Sequence, residues 1–145
     1  MNEDQRVVTS SSLQKVVSAI ELVEASLKGL DRFNSNKEYT PKELEPYDAL
    51  SDRFIRAVES ALKFFRSYEK LQFAENSETL RDLLLRMEKL HLVESMTMWM
   101  EMRDMRNRIV HDYLPEQIKE LHDLTMGKFG RELLLLKNRV LNLDF

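Results

Sequence analysis

Cysteine is absent from this sequence, and glycine and proline occur only three times each. The first absence excludes disulfides and thiolate-held metal ions, and it suits a reducing compartment. Scarcity of the two strongest helix breakers leaves few points at which a helix must stop. Long apolar stretches are missing as well. The longest uninterrupted run is Leu133 to Leu136, far short of the roughly 20 residues a membrane-spanning helix needs. No basic segment followed by an apolar stretch opens the chain, so no signal peptide is read. A cytoplasmic protein with no membrane association is the economical expectation.

What is abundant points one way. Leu, Met, Glu, Lys and Arg dominate, and these straight-chain residues lose little rotamer freedom in a helix. Hydrophobic residues make up 43% of 145 and charged residues 32%, which supports one real core beneath a solvated surface. The expectation is a single all-α domain over residues 1–145, with residues 1–8 fraying. A net charge of −3 argues against broad, nonspecific nucleic-acid binding, although a local basic cleft stays compatible with it.

Helix signals recur along the chain. Ser11 with Gln14 reads as a capping box ahead of Leu13, Val16, Val17, Ile20, Val23, Leu27 and Leu30, a helix ending near Phe33. Thr40, Pro41 and Glu43 combine an N-cap, proline at the first helical position and an acid at the third. The helix behind them carries Leu50, Phe54, Ile55, Val58, Leu62, Phe65 and Leu71, and should reach about Phe73. A short third helix holds Leu80, Leu83, Leu84, Met87 and Leu90. A fourth runs from near Ser95 to about His111. Pro115 opens a fifth bearing Ile118, Leu121, Thr125, Phe129, Leu136 and Val140, which Gly127 and Gly130 weaken without having to break. Short connections make an antiparallel up-and-down bundle of four to five helices the default architecture.

The fourth helix is unusual. At about 100° per residue, Met98, Met102, Met105 and Ile109 share one stripe, the natural core face. Met96, Met100, Asn107 and His111 fall on roughly the opposite side, with Trp99, Arg103, Arg106 and Val110 between. A second stripe of this kind suits packing against a second copy of the chain, hence a homodimer through the fourth helix. The plainer alternative is a central helix buried on both sides.

Arg106, Asn107, His111 and Tyr113 together spell R-N-x-x-x-H-x-Y at the end of that helix. In this the sequence resembles the HEPN superfamily, whose signature is an Arg, usually followed by Asn, with a His shortly beyond. The added Tyr resembles the HepT branch of HEPN–MNT toxin–antitoxin pairs. The stretch Trp99 to Met102 through Arg106-Asn107 is also similar to nucleotidyltransferase substrate-binding subunits, a sister group. The specific part of the resemblance spans Trp99 to Tyr113.

The resemblance implies an endoribonuclease toxin controlled by an MNT-type nucleotidyltransferase. RNA carries its own nucleophile in the 2′-hydroxyl, so no metal or cofactor is required. His111 can move the proton. Arg106 can offset charge on the phosphoryl oxygens, and Asn107 can bind the phosphate or hold the His111 tautomer. One such His per chain is too few for both acid and base, and HEPN ribonucleases are understood to dimerise so that two motifs share a cleft. Tyr113 is the AMP acceptor that the resemblance implies; its alternative role is to cap the helix end. The second functional reading is a noncatalytic substrate- or nucleotide-binding subunit of a two-chain nucleotidyltransferase. A third is a structural helical partner with a vestigial motif. His91 and His122 read as surface or boundary residues rather than metal ligands, and Trp99 as a core or interface anchor.

Overall fold

A computed structural model describes residues 3–112 and 114–145. Six helices, and no strand, occur among the described residues: α1 (Glu3–Leu27), α2 (Pro41–Phe73), α3 (Leu80–Lys89), α4 (Met96–His111), α5 (Pro115–Met126) and α6 (Lys128–Leu141). None is long and apolar enough to cross a membrane.

The main chain winds as a helical bundle about α2. Helix α1 runs antiparallel along it, with Gln5 and Thr9 bonded to Ser67 at one end and Arg53 bonded to Ser26 at the other. Helix α4 also lies antiparallel to α2, because Trp99 meets Phe65 while Arg106 meets Glu59. Helix α6 closes the bundle against α1 through the Lys137–Glu24 ion pair at 2.6 Å. The shared core takes Val16, Ile20 and Val23 from α1, and Phe54, Val58 and Phe65 from α2. It is completed by Leu84 and Met87 of α3, Met102 and Met105 of α4, and Leu133 and Leu136 of α6. Each such side chain contributes roughly 1.5–3 kcal/mol by leaving water.

Helix α1 ends at Leu27, not near Phe33, with Gly29 in left-handed backbone at φ 74° just beyond it, and two further boundaries differ from the sequence reading. Helix α1 starts at Glu3, not at the Ser11 box, so residues 3–8 are helix rather than a frayed leader. The reason is tertiary: buried Thr9 shares a hydrogen bond with Ser67 at 2.7 Å, and Gln5 donates to the same hydroxyl at 2.9 Å. Those contacts tie the first turns to α2 across more than fifty residues of sequence. By contrast, the Thr40 box forms as expected, with Glu43 N donating to Thr40 Oγ1 and Thr40 N to Glu43 Oε1.

The second difference lies at Gly127, where the expected fifth helix is two helices, α5 and α6. Gly127 leaves helical geometry at φ −106° and ψ −119°. Gly130 makes the sharp junction possible, since a Cβ there would lie 2.0 Å from the Thr125 carbonyl oxygen. The obstacle is backbone and cannot swing aside. Gly130→Ala is therefore expected to cost about 3 kcal/mol, the upper end for overpacking, read as an earlier urea unfolding midpoint. An unchanged midpoint would show that the junction relaxes freely.

His122, expected near the surface, is buried with neither ring nitrogen hydrogen-bonded. It sits edge-on to Tyr47, and the Asp123 carboxylate is 3.8 Å from Nδ1, beyond hydrogen-bond range. Burial holds its pKa below the usual histidine value; Asp123 pulls upward, while Arg32 and Lys119 push further down. The folded state thus favours neutral His122 more than the unfolded chain does, which protonates near pH 6.5. This contribution is fully present above that pH and is lost as pH falls through it. On going from pH 7.5 to 5, wild type should lose more stability than His122→Leu, measured as the shift in urea midpoint. Equal losses would sink the assignment.

Candidate active site

Helix α4 is anchored at its start by two caps. Ser95 Oγ accepts from Met98 N at 3.0 Å, and Glu88 Oε1 from Met96 N at 2.7 Å. Its buried face consists of Trp99, Met102, Met105 and Ile109. Three of the four residues in the expected core stripe are there, but Met98 is only half-buried and Trp99 takes its place. The indole is fully buried, edge-on to Phe65, with its N–H donated to Glu132 Oε2 at 2.7 Å. Trp99 is therefore a core anchor that fixes which side of α4 looks toward α2.

That side carries Arg106 and Asn107. Glu59 of α2 receives the Arg106 Nε at 3.1 Å, and its Oε1 also takes a second, shorter bond from Nη2. Arg106 Nη1 donates to Asn107 Oδ1 at 2.8 Å. The guanidinium is held from two directions and remains partly exposed. Asn107 thus uses its oxygen on Arg106, and its amide N–H groups have no acceptor among the described residues. Asn107 consequently orients Arg106 and makes no bond to His111. Beside them opens a groove of about 580 Å³ lined by Glu59, Lys63, Leu80, Arg103, Arg106 and Asn107.

Sequence reasoning missed Glu59. It stands between the apolar positions Val58 and Leu62 of α2 and is 47 residues from its partner, so only the folded chain pairs them. A lone acid on a long amphipathic helix gives no signal of that kind.

His111 is the last residue of α4 and is exposed. It has no hydrogen bond or ion pair among the described residues. The chain then turns: Asp112 N closes on Arg108 O at 2.8 Å, and Leu114 N donates to Gln117 Oε1 at 3.0 Å ahead of Pro115. Tyr113 lies outside the described residues. His111 sits one helical turn beyond Asn107, about 6 Å along the axis, so the motif occupies one end of one helix. Met96 and Met100, expected on a dimer face, are half-buried against the chain's own core. Met96 also receives Arg81 at its sulfur. The more exposed apolar groups at this end are Val110 and Leu114.

The local charge is also rearranged by folding. Arg108 pairs with Glu120 at 3.1 Å and Glu101 with Lys128 at 2.5 Å, while Arg106 is compensated by Glu59. Of the three arginines of this helix, Arg103, Arg106 and Arg108, Arg103 alone keeps no carboxylate partner among the described residues. No group of three His, Asp or Glu among those residues is arranged to hold a metal ion.

No curated protein matches the chain. The family profile described as Ribonuclease HepT-like matches residues 18–123, a span that begins in α1, contains Glu59, Arg106, Asn107, His111 and Tyr113, and ends in α5. With an all-helical bundle and this motif at the end of α4, the chain belongs to the HepT-like ribonuclease family of the HEPN superfamily.

Proposed function

We propose that this chain is the toxin of a toxin–antitoxin pair, a metal-independent endoribonuclease that works as a homodimer in the cytoplasm. Arg106 and His111 act on the reacting phosphate, Asn107 supports them, and an MNT-type nucleotidyltransferase silences the chain by transferring AMP to Tyr113. The observation that carries this reading is the Arg106 fork, braced by Glu59 and Asn107, with Asn107 one turn from an exposed His111 that has no partner among the described residues. A preoriented cation and an imidazole that can take up or give a proton are what transesterification of RNA needs.

In the proposed step one imidazole takes the proton of the 2′-hydroxyl, whose oxygen attacks phosphorus. The bond from phosphorus to the 5′-oxygen breaks, and a protonated imidazole of the second chain gives that oxygen its proton. The products are a 2′,3′-cyclic phosphate and a 5′-hydroxyl. Arg106 and the Asn107 amide stabilise the extra negative charge while five oxygens surround phosphorus. Since each motif offers one histidine, a dimer supplies both the base and the acid. AMP on Tyr113, two residues beyond His111 in sequence, would add a bulky anion that competes with the substrate phosphate.

A second reading is supported by the shape of the groove. Its wall includes Val58, Leu62 and Leu80 below Arg103 and Asn107, a mixture that suits a single nucleotide in a substrate-binding subunit. Cleavage of structured RNA in excess EDTA separates the two. Cyclic-phosphate ends from a dimeric wild type support the ribonuclease. A folded dimer that leaves RNA intact but binds a mononucleotide supports the other. Intact mass after incubation with the active partner and ATP tests Tyr113, where no gain of one AMP would count against the modification.

A further inference from the structure

We infer that RNA is led to the Arg106 site along a basic channel made by α1, α2 and α4, with Lys15, Arg53, Lys63 and Arg103 as its phosphate contacts. This rests on the ribonuclease reading and adds where the strand runs.

Three depressions meet on this face. One of about 540 Å³ lies between α1 and α2 and includes Lys15, Arg53 and Lys63. Another of about 540 Å³ continues toward the start of α1 past Ser11, Lys15 and Ser67. The third is the 580 Å³ groove at Arg106. Lys63 lines all three, and Glu59 lines the first and third, so they form one continuous surface rather than separate pits.

Charge on this surface is free in a way that it is not on α4 alone. Lys15, Lys63 and Arg103 have no hydrogen-bond or ion-pair partner among the described residues. Arg53 donates only to neutral oxygens, Leu22 O at 3.1 Å and Ser26 Oγ at 2.8 Å. The one acid lining the first and third depressions, Glu59, is already bound to Arg106. Four uncompensated cations on three helices thus share a face of a chain whose net charge is −3. Hydroxyls and an amide interleave with them, from Ser11, Gln14, Ser18 and Ser60, and these can donate to phosphate or to a 2′-hydroxyl. From Arg53 to Lys63 the channel follows about 15 Å of α2, long enough for a strand and too long for one nucleotide. A polyanion therefore fits this face better than a mononucleotide does.

The test uses the full chain carrying His111→Ala, so that binding is read without cleavage. A short fluorescein-labelled single-stranded RNA is titrated over a range of salt concentrations. Adding Lys15→Gln and Lys63→Gln should weaken binding about tenfold or more and reduce the salt slope by about 1.4, since each single-strand phosphate contact is worth about 0.7. A charge-matched control, Lys28→Gln with Lys89→Gln, removes two exposed cations outside the channel and should leave both readings unchanged.

Equal weakening by both pairs would mean only a net-charge effect and would overturn the channel. RNA affinity unaffected by Lys15→Gln and Lys63→Gln, while wild type still cuts RNA, would also overturn it. That result would leave the ribonuclease intact and assign these cations to an acidic protein surface. If His111→Ala binds no RNA and wild type cuts none, the ribonuclease reading fails first and the channel falls with it. Circular dichroism of each variant confirms the helical fold, which exposed Lys-to-Gln changes should preserve.

Discussion

In His111→Ala, RNA cleavage is expected to fall by about 10²–10⁴-fold, the usual contribution of a positioned acid or base, with unfolding unchanged. The second half of that expectation follows from the structure. His111 is exposed and makes no hydrogen bond among the described residues, so its removal leaves neither a cavity nor an orphaned partner, and stability should stay within about 0.5 kcal/mol. Arg106→Ala should also slow cleavage, by about 10²–10³-fold, but it has a structural cost. It leaves the Glu59 carboxylate and Asn107 Oδ1 without the donors they now share. Arg106→Lys separates the two effects. It keeps a charge near Glu59 but loses the planar fork that meets Glu59 and Asn107 together. Single-turnover cleavage at saturating RNA, in EDTA, reads all three. His111→Ala cutting at the wild-type rate would remove proton transfer from this residue, while slow cutting by Arg106→Lys would show that orientation matters beyond charge.

The same comparison probes the dimer. If base and acid come from two chains, mixed dimers of wild type with His111→Ala should fall well below half of wild-type activity, because every composite cleft needs both imidazoles. Activity at half would mean that each chain cuts alone. The apolar groups available to such an interface near His111 are Val110 and Leu114, since Met96 and Met100 are partly committed to the core.

Much of the fold was legible in the sequence wherever the signal is local. Thr40, Pro41 and Glu43 mark the start of α2, and the capping interactions form as their chemistry predicts. The stripe of Met102, Met105 and Ile109 gave the buried face of α4. Failures occurred where a distant residue decides. The Ser11–Gln14 pattern is a plausible start, yet Ser67 extends the helix back past it through Thr9 and Gln5. Gly127 reads as a mild penalty on a helix, and only the approach of Gly130 to the Thr125 carbonyl reveals a junction. His122 looked ordinary because nothing adjacent in sequence announces Tyr47 above it. The site follows the same rule. Arg106, Asn107 and His111 are contiguous on one helix and can be read, whereas Glu59, Lys63 and Lys15 come from other helices and cannot. The charge of α4 is also decided from outside it, since Glu59 and Glu120 pair with two of its three arginines.

The largest expected loss of stability lies at a residue that the motif does not contain. Glu132 of α6 is fully buried, and its carboxylate accepts from Trp99 Nε1 at 2.7 Å, Glu94 N at 3.0 Å and Arg139 Nη1 at 3.2 Å. Glu132→Ala removes the acceptor of all three bonds: it leaves the indole N–H unpaired in the interior, at about 1–3 kcal/mol, and takes the partner from the part-buried Glu94 N–H, which water can partly replace. Arg139 loses its counter-charge too, although it is partly exposed and bonded to Leu92 O, so water offsets some of that cost. Breaking a buried charge pair commonly costs about 3–5 kcal/mol, and about 4 kcal/mol is expected here. Glu132→Gln keeps the volume and one carbonyl acceptor, and should lose roughly half as much. The sequence holds one tryptophan, so its fluorescence reports this contact directly during urea unfolding. Trp99 and Arg106 are seven residues apart on α4, about two turns. Loosening the first should misplace the second, and Glu132→Gln should therefore slow cleavage even where the protein remains folded. If Glu132→Ala unfolds within about 1 kcal/mol of wild type, the carboxylate does not hold α4 in place, and the bracing of Arg106 must come from Glu59 and the core alone.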